Sequence, residues 1–274
     1  MKVFQVGAGS GGIVVLDLVA RDPRVTRVTL VEPDVYKPHN VHRHIFPPQA
    51  VGRRKADLAA EWVRDRRPDL VVESLVADLT DPARLSEFRE LAATCDVGVC
   101  AVDNEPAKYA FDALMRAAGK PWALGEVLSG GIGGWVHRFT PDGPCYGCVA
   151  SHLQRTVTDE QAAPPPDYSN PGAAVAETTI PATKASIEVI AGLHALVTLD
   201  LLASAGTPSP GADFTSLLFT LARVPGVFED AYRPYRFRIP KSASCLICSP
   251  IPTPATGEDL DVALDQALAR LGNK

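Results

Sequence analysis

Lys2-Val-Phe-Gln-Val6, then Gly7-Ala-Gly9-Ser-Gly-Gly12, then the apolar run Ile13 to Ala20 follow one another without interruption at the start of a 274-residue chain. A β-prone pentapeptide that turns on glycines directly into an apolar helical segment predicts a strand, a tight turn and a helix. Gly7 permits the turn, Gly9 leaves bare backbone for a ligand's phosphates, and Gly12 lets helix and strand pack closely. The free N–H groups at the helix start then face an anion. The G-x-G-x-x-G spacing alone is a weak signal, since glycines also serve plain turns. Its context strengthens it: Val25 to Val31 is a β-rich run that completes a βαβ unit, and Glu32 follows it, twenty residues past Gly12. A carboxylate at that strand end can accept both ribose hydroxyls of a nucleotide, where an ordinary loop acid would have no such task.

The composition fits a globular protein, with 46% hydrophobic and 22% charged residues, and 24 prolines point to long ordered loops. A net charge of −5 gives no reason to expect nucleic-acid binding, which needs clustered cations. Basic residues do gather locally between Arg43 and Arg67. Met1 stands at the edge of the first strand, which leaves no room for a cleavable leader and predicts a cytoplasmic protein. The most apolar stretch, Ser186 to Ala205, is interrupted by Glu188, His194 and Asp200, so a buried or half-buried helix is expected and no membrane span.

Pro33 to Pro48 is a long polar loop with apolar pegs, and loops of that length in compact domains tend to be functional. It leads through Gly52 to a helix ending near Arg67, with Leu58, Ala59, Trp62 and Val63 inward. Asn40, Arg43 and Lys55 are thereby placed to surround phosphates on the glycine loop; singly, each basic residue would pass for a solvated surface charge. His39, His42 and His44 raise a metal hypothesis that solvent exposure and hydrogen bonding explain equally well. Strands are expected at 70–77, 96–102, 122–127 and 214–221, with helices at 82–93, from Pro106, at 183–205 and at 258–271. Asp103 and Asn104 end the fourth strand, outside which the ligand crevice of a doubly wound sheet lies. Asp103 suits a magnesium ion held beside phosphates, and Asn104 suits a helix cap.

Cys145-Tyr-Gly-Cys148 and Cys245-Leu-Ile-Cys248 are two C-x-x-C knuckles, which predict a four-thiolate structural zinc site tying the carboxyl-terminal part back to the sheet. Redox-active thiols are the other reading of such pairs. Cys95 and Cys100 read as small buried residues. Between the knuckles, Ser151 to Pro181 is rich in proline, lacks periodicity and reads as a crossover loop.

The ordered set Gly7-Ala-Gly9-Ser-Gly-Gly12, Glu32-x-Asp34, Asn40-x-x-Arg43, Lys55, Asp103-Asn104 and the two C-x-x-C pairs resembles the ThiF/MoeB/HesA superfamily, adenylating enzymes related to ubiquitin-activating enzymes. The resemblance spans essentially the whole chain. It implies one α/β domain over 1–274: a Rossmann-like, mostly parallel doubly wound sheet over 1–140, then a crossover loop, zinc knuckle and antiparallel extension. It implies that Glu32 holds the ATP ribose, with Asp34 beside it, that Asn40, Arg43 and Lys55 bind the triphosphate, and that Asp103, next to Asn104, coordinates Mg2+. It further implies Zn2+ on Cys145, Cys148, Cys245 and Cys248. The family's substrate is a ubiquitin-like or sulfur-carrier protein with a C-terminal Gly-Gly tail, and its members are usually homodimers.

Three departures accompany the resemblance. Relatives such as MoeB carry a helical leader that supplies an arginine to the neighbouring subunit, whereas this chain opens on the first strand, which leaves three alternatives: Arg53 or Arg54 takes that role, a partner protein does, or catalysis is weak. Conjugating members place a nucleophilic cysteine in or after the crossover loop, and none occurs here from Val149 to Ser244. Glu32 stands where aspartate is commoner. The alternatives are activation of a ribosomal peptide or small molecule, a non-catalytic scaffold subunit, or an NAD-dependent dehydrogenase. The last shares the glycine loop and Glu32, but leaves Asn40, Arg43, Lys55 and Asp103 without a purpose.

Overall fold

The structure, a computed structural model, describes residues 1–153, 181–204 and 213–249. In chain order these form β1 (Lys2–Val6), α1 (Gly12–Ala20), β2 (Arg27–Val31), α2 (Lys55–Arg66), β3 (Val71–Leu75), α3 (Leu85–Thr94), β4 (Val97–Cys100), α4 (Glu105–Ala117), β5 (Trp122–Val127), β6 (Gly133–Phe139), α5 (Tyr146–His152), α6 (Lys184–Ala203), β7 (Ser216–Thr220) and β8 (Pro234–Phe237).

The strands make one sheet in the order β3-β2-β1-β4-β5-β6-β7-β8. Pairing is parallel from β3 through β5 and antiparallel from β5 through β8. This is the α/β doubly wound sheet that the glycine loop and strand spacing foretold, with the antiparallel extension that the family resemblance implied. β1 lies between β2 and β4, so strand order reverses beside it, and a ligand crevice opens outside the carboxyl ends of β1 and β4.

Alternation along β1 divides the core in two. Val3 packs with Ile13, Leu16, Val28 and Ile190 under α1, α2 and α6. Phe4 and Val6 pack with Phe88, Phe111 and Met115 under α3 and α4. Strands buried on both faces read as near-continuous apolar runs, which is how β4 reads, while β1 and β2 are each interrupted by one buried polar residue, Gln5 and Thr29. At the junction with the extension, Trp122 of β5 stacks on Phe139 of β6 with ring centroids 4.0 Å apart.

α6 is long and apolar enough to cross a membrane by length and composition, with mean hydropathy 1.6, yet it lies against α1, β5 and β6 and is half buried there. It is the core helix expected between 183 and 205. Most elements fall where the pattern placed them, with β2, β3, β4 and β7 two or three residues shorter than expected. α5 was not expected: it begins inside the first knuckle, where Cys145 ends the extended chain and the Tyr146 N–H is taken by the Asp112 carboxylate at 3.0 Å. The crossover loop is described only at its ends, and the expected helix at 258–271 lies outside the described residues.

Candidate active site and metal centre

The glycine loop has the geometry its spacing demands. Gly7 has φ +90°, and a Cβ there would sit 2.3 Å from the Ala101 carbonyl oxygen. A Cβ at Gly12 would meet the Gly7 oxygen at 2.5 Å, whereas at Gly9 nothing lies within 4 Å. The two outer glycines are thus required by packing, and the middle one leaves open space for a ligand. Gln5, buried in β1, donates from Nε2 to the Gly7 carbonyl at 2.9 Å and the Gly12 carbonyl at 2.8 Å, closing the loop into a ring. No side chain caps α1, and the Ile13 and Val14 N–H groups donate to the Gly9 and Gly11 carbonyls, both at 3.0 Å, so the amides of the helix start are partly taken up within the loop itself.

Glu32 is buried beside this loop, and accepts the Ala8 N–H on Oε2 at 2.5 Å and the Asp34 N–H on Oε1 at 2.8 Å. Burial raises its pKa, opposed by the Lys55 charge and by these two amides. Each oxygen retains a lone pair, the minimum a ribose contact needs.

The loop after β2 is held at both ends. Val35 bridges Arg54, the Tyr36 N–H donates to the Arg53 carbonyl at 2.8 Å, and the Tyr36 hydroxyl donates to the Phe46 carbonyl at 2.7 Å. Asn40, buried, accepts the Lys37 N–H on Oδ1 at 2.9 Å and takes the Arg43 and His44 amides on its carbonyl. That turn presents Arg43, half buried. Lys55, at the start of α2, is buried and pairs with Asp34 at 2.7 Å. Burial lowers the His39 pKa, and Arg43, Lys37 and Lys55 lower it further, so these cations share one neighbourhood. Arg53 pairs with Glu61 and Arg54 reaches the Pro33 carbonyl. The three histidines do not assemble a metal site among the described residues: His44 is turned to the Ala8 carbonyl at 3.1 Å and His42 is exposed.

Asp103 is exposed beyond β4, two residues after Ala101, whose carbonyl touches the Gly7 turn. Asn104 accepts the Ala107 N–H on Oδ1 at 2.9 Å, the helix cap expected of it. Behind them Lys108, buried in α4, donates to Glu105 at 2.7 Å and Glu126 at 2.5 Å, and the Tyr146 hydroxyl donates to the other oxygen of Glu105 at 2.8 Å.

Sequence reasoning passed over Gln5, Lys108 and Lys184, and weighed His44 only as a candidate metal ligand. Gln5 was legible as the one polar residue in a buried strand. Lys184 was not, because only the fold carries the start of α6 to the crevice: Ile187 lies 3.5 Å from where a Gly11 Cβ would be, and the Lys184 charge is felt at His44.

Cys145, Cys148, Cys245 and Cys248 bring their four sulfurs within 4.8 Å of one another. The separations of 3.7 Å for Cys145–Cys148 and 3.5 Å for Cys145–Cys245 and Cys148–Cys248 approach the ~3.8 Å of sulfurs around a tetrahedral zinc with ~2.3 Å bonds. They exceed the ~2.05 Å of a disulfide. The donor set fits Zn2+, and it joins residues a hundred positions apart.

A family model described as the ThiF family matches residues 1–225. The SAMP-activating enzyme E1 of Haloferax volcanii is 33% identical over 149 residues, 54% of this chain and 53% of that one. The ubiquitin-like modifier-activating enzyme 5 of Arabidopsis thaliana is 24% identical over 79% of this chain and 51% of its own. The chain therefore spans about half the length of these curated relatives. The sulfur carrier protein adenylyltransferase of Thermus thermophilus is 29% identical over 92% of this chain and 83% of its own. Among solved structures, E. coli MccB with AMPCPP and MccA superposes with a TM-score of 0.67 at 14% identity, over 90% of this chain and 66% of that one, a likeness of fold. With a match over most of its length, and the glycine loop and four-cysteine cluster in place, this chain belongs to the ThiF family.

Proposed function

We propose that this protein is an ATP-dependent adenylyltransferase that activates a carboxylate as an acyl-adenylate, with release of pyrophosphate. Its substrate in this reading is the C-terminal glycine of a ubiquitin-like or sulfur-carrier protein with a Gly-Gly tail, the kind of protein named in its relatives' descriptions. The observation that supports the reading is the open Gly9 turn with Glu32 on the Ala8 N–H, beside His44, whose ring touches the Ala8 carbonyl and feels the charges of Lys55 and Arg43, a set that a hydride-transfer enzyme has no need of.

A substrate carboxylate oxygen attacks the α-phosphorus, the bond to the bridging oxygen breaks, and pyrophosphate leaves with that electron pair. Catalysis is then positioning plus charge neutralisation. Glu32 holds the ribose with its remaining lone pairs, Asn40 shapes the turn that delivers Arg43, and Arg43 and Lys55 stabilise charge on the phosphates. Asp103, an exposed carboxylate beside phosphates, fits Mg2+, which when bound would neutralise phosphate charge. The zinc cysteines lie apart from this chemistry.

A thioester step on this chain has no nucleophile to use. The two cysteines outside the knuckles, Cys95 and Cys100, are buried, and burial pushes both thiols up to about 12. Free thiols throughout fit a cytoplasmic setting. In this reading the protein works as a homodimer, for which Leu18 of α1 and Val189 and Leu196 of α6 offer exposed apolar surface.

The test is pyrophosphate–ATP exchange with a Gly-Gly-tailed β-grasp protein, beside thermal stability with ATP and magnesium or with NAD. Exchange that vanishes in Lys55→Ala supports the reading. Stabilisation by NAD alone would overturn it.

A further inference from the structure

His44 is 4% exposed and sits in a loop remote in sequence from the glycine turn, yet its Nε2 lies 3.1 Å from the Ala8 carbonyl oxygen. A carbonyl can only accept, so Nε2 carries the proton. Tyr36 meets the imidazole edge-on with centroids 5.2 Å apart, and Phe46 covers it at 4.5 Å, fixing the ring plane. The same residue, Ala8, gives its N–H to Glu32 at 2.5 Å. Both peptide groups of Ala8 are therefore gripped by buried side chains from different parts of the chain, directly before Gly9.

We propose that His44 is a positioning residue for nucleotide binding: as the Nε2–H tautomer it clamps the Ala8 carbonyl and, opposite Glu32, fixes the direction in which the amides following Gly9 present themselves to phosphates. The proposal rests on the reading of this loop as a nucleotide site. It also accounts for the identity of the side chain. The histidine is kept neutral chiefly by burial, against the Ala8 hydrogen bond, which pulls the other way, and with the charges of Lys55, Lys184 and Arg43 adding to burial, so its pKa lies down at about 4, and the clamp adds no positive charge that would bias the site and does not titrate near neutral pH. Its Nδ1 is a buried acceptor with no partner among the described residues, open to a donor from a water or a bound ligand. Glutamine, with one donor and one acceptor on a flexible arm, is the nearest chemical substitute, while leucine fills the space against Tyr36 and Phe46 without a donor.

The experiment is calorimetric binding of ATP with magnesium to the full chain and to its His44→Leu and His44→Gln variants, together with 15N NMR of the wild-type imidazole. The clamp predicts an Nε2–H tautomer in the free protein, a loss of affinity of roughly tenfold in His44→Leu, and recovery to within about threefold in His44→Gln. An Nδ1–H tautomer, unchanged affinity in folded His44→Leu, or lost affinity in folded His44→Gln would each overturn it. If His44→Leu does not fold, the tautomer and the glutamine variant decide. If wild-type protein binds no ATP at all, the adenylyltransferase reading falls, and the clamp, still read by the tautomer, loses its ligand and is overturned as a nucleotide device.

Discussion

Lys55 Nζ lies 2.7 Å from Asp34 Oδ2, so this buried cation is balanced by a carboxylate from the loop just after β2. Asp34 is the more exposed partner, which leaves it free to swing to solvent while Lys55 stays under the loop. In the proposed reading nucleotide phosphates would replace one anion by another, and the lysine would never be buried without a counter-charge. Lys55→Ala is expected to lower pyrophosphate exchange by about a hundredfold or more and to abolish the stabilisation by ATP and magnesium. Retention of that stabilisation would place Lys55 outside the phosphate site.

Asp103 carries no structural duty that its exposure would suggest, while its neighbour Asn104 performs the capping of α4. Asp103→Asn should therefore change stability by no more than about 0.5 kcal/mol, yet remove magnesium-dependent turnover. A melting temperature within a degree or two of wild type beside lost exchange is the expected pair of results. Normal turnover would release Asp103 from the mechanism.

The four thiolates should bind one zinc per chain. Burial raises the Cys145 pKa, whereas at Cys245 burial is outweighed by amides of Cys248 and Ile247 and by neighbouring thiols, which bring it down to about 7. Metal binding should therefore release protons near neutral pH. Chelation, or Cys248→Ser, should lower the melting temperature and loosen the segment around 242–249. Metal analysis and calorimetry check this, and a zinc-free protein of unchanged stability would reject the site.

Two buried histidines set an acid limit. His44 and His194 are both shifted from 6.5 to about 4, chiefly by burial. The folded state keeps them neutral while the unfolded chain protonates them, so the unfolded state binds more protons between about pH 4 and 6.5 and stability rises with pH across that window. Each contributes up to about 3 kcal/mol, lost as the solution is acidified from 6.5 towards 4. Melting temperatures against pH should fall in that range for wild type, and the fall should be shallower in His194→Gln. The same slope in both proteins would contradict the assignment.

How much of this could be read in the chain follows from the range of each interaction. The glycine loop, Glu32 and the C-x-x-C pairs are local patterns whose spacing encodes a turn, a strand end and a ligand pair, and the fold places them accordingly. Arg43 and Lys55 could be placed near the loop because α2 and its preceding segment follow β2 directly. The His44 contact with Ala8, the Lys108 bridge to Glu126 and the arrival of α6 beside Gly11 join residues far apart in sequence, and no periodicity reports them. α5 was missed because seven residues beginning inside a metal knuckle make too short a run to show a helical period.

Gln5 ties Gly7 and Gly12 from inside the sheet, so the loop acquires its shape when β1 is laid down between its neighbours. Association with a nucleotide then freezes little backbone. In the proposed reading the entropy lost on binding would be concentrated in the half-buried Arg43 side chain, since Lys55 is already buried and held by Asp34, and the rest of the cradle behaves as a rigid die struck once, during folding.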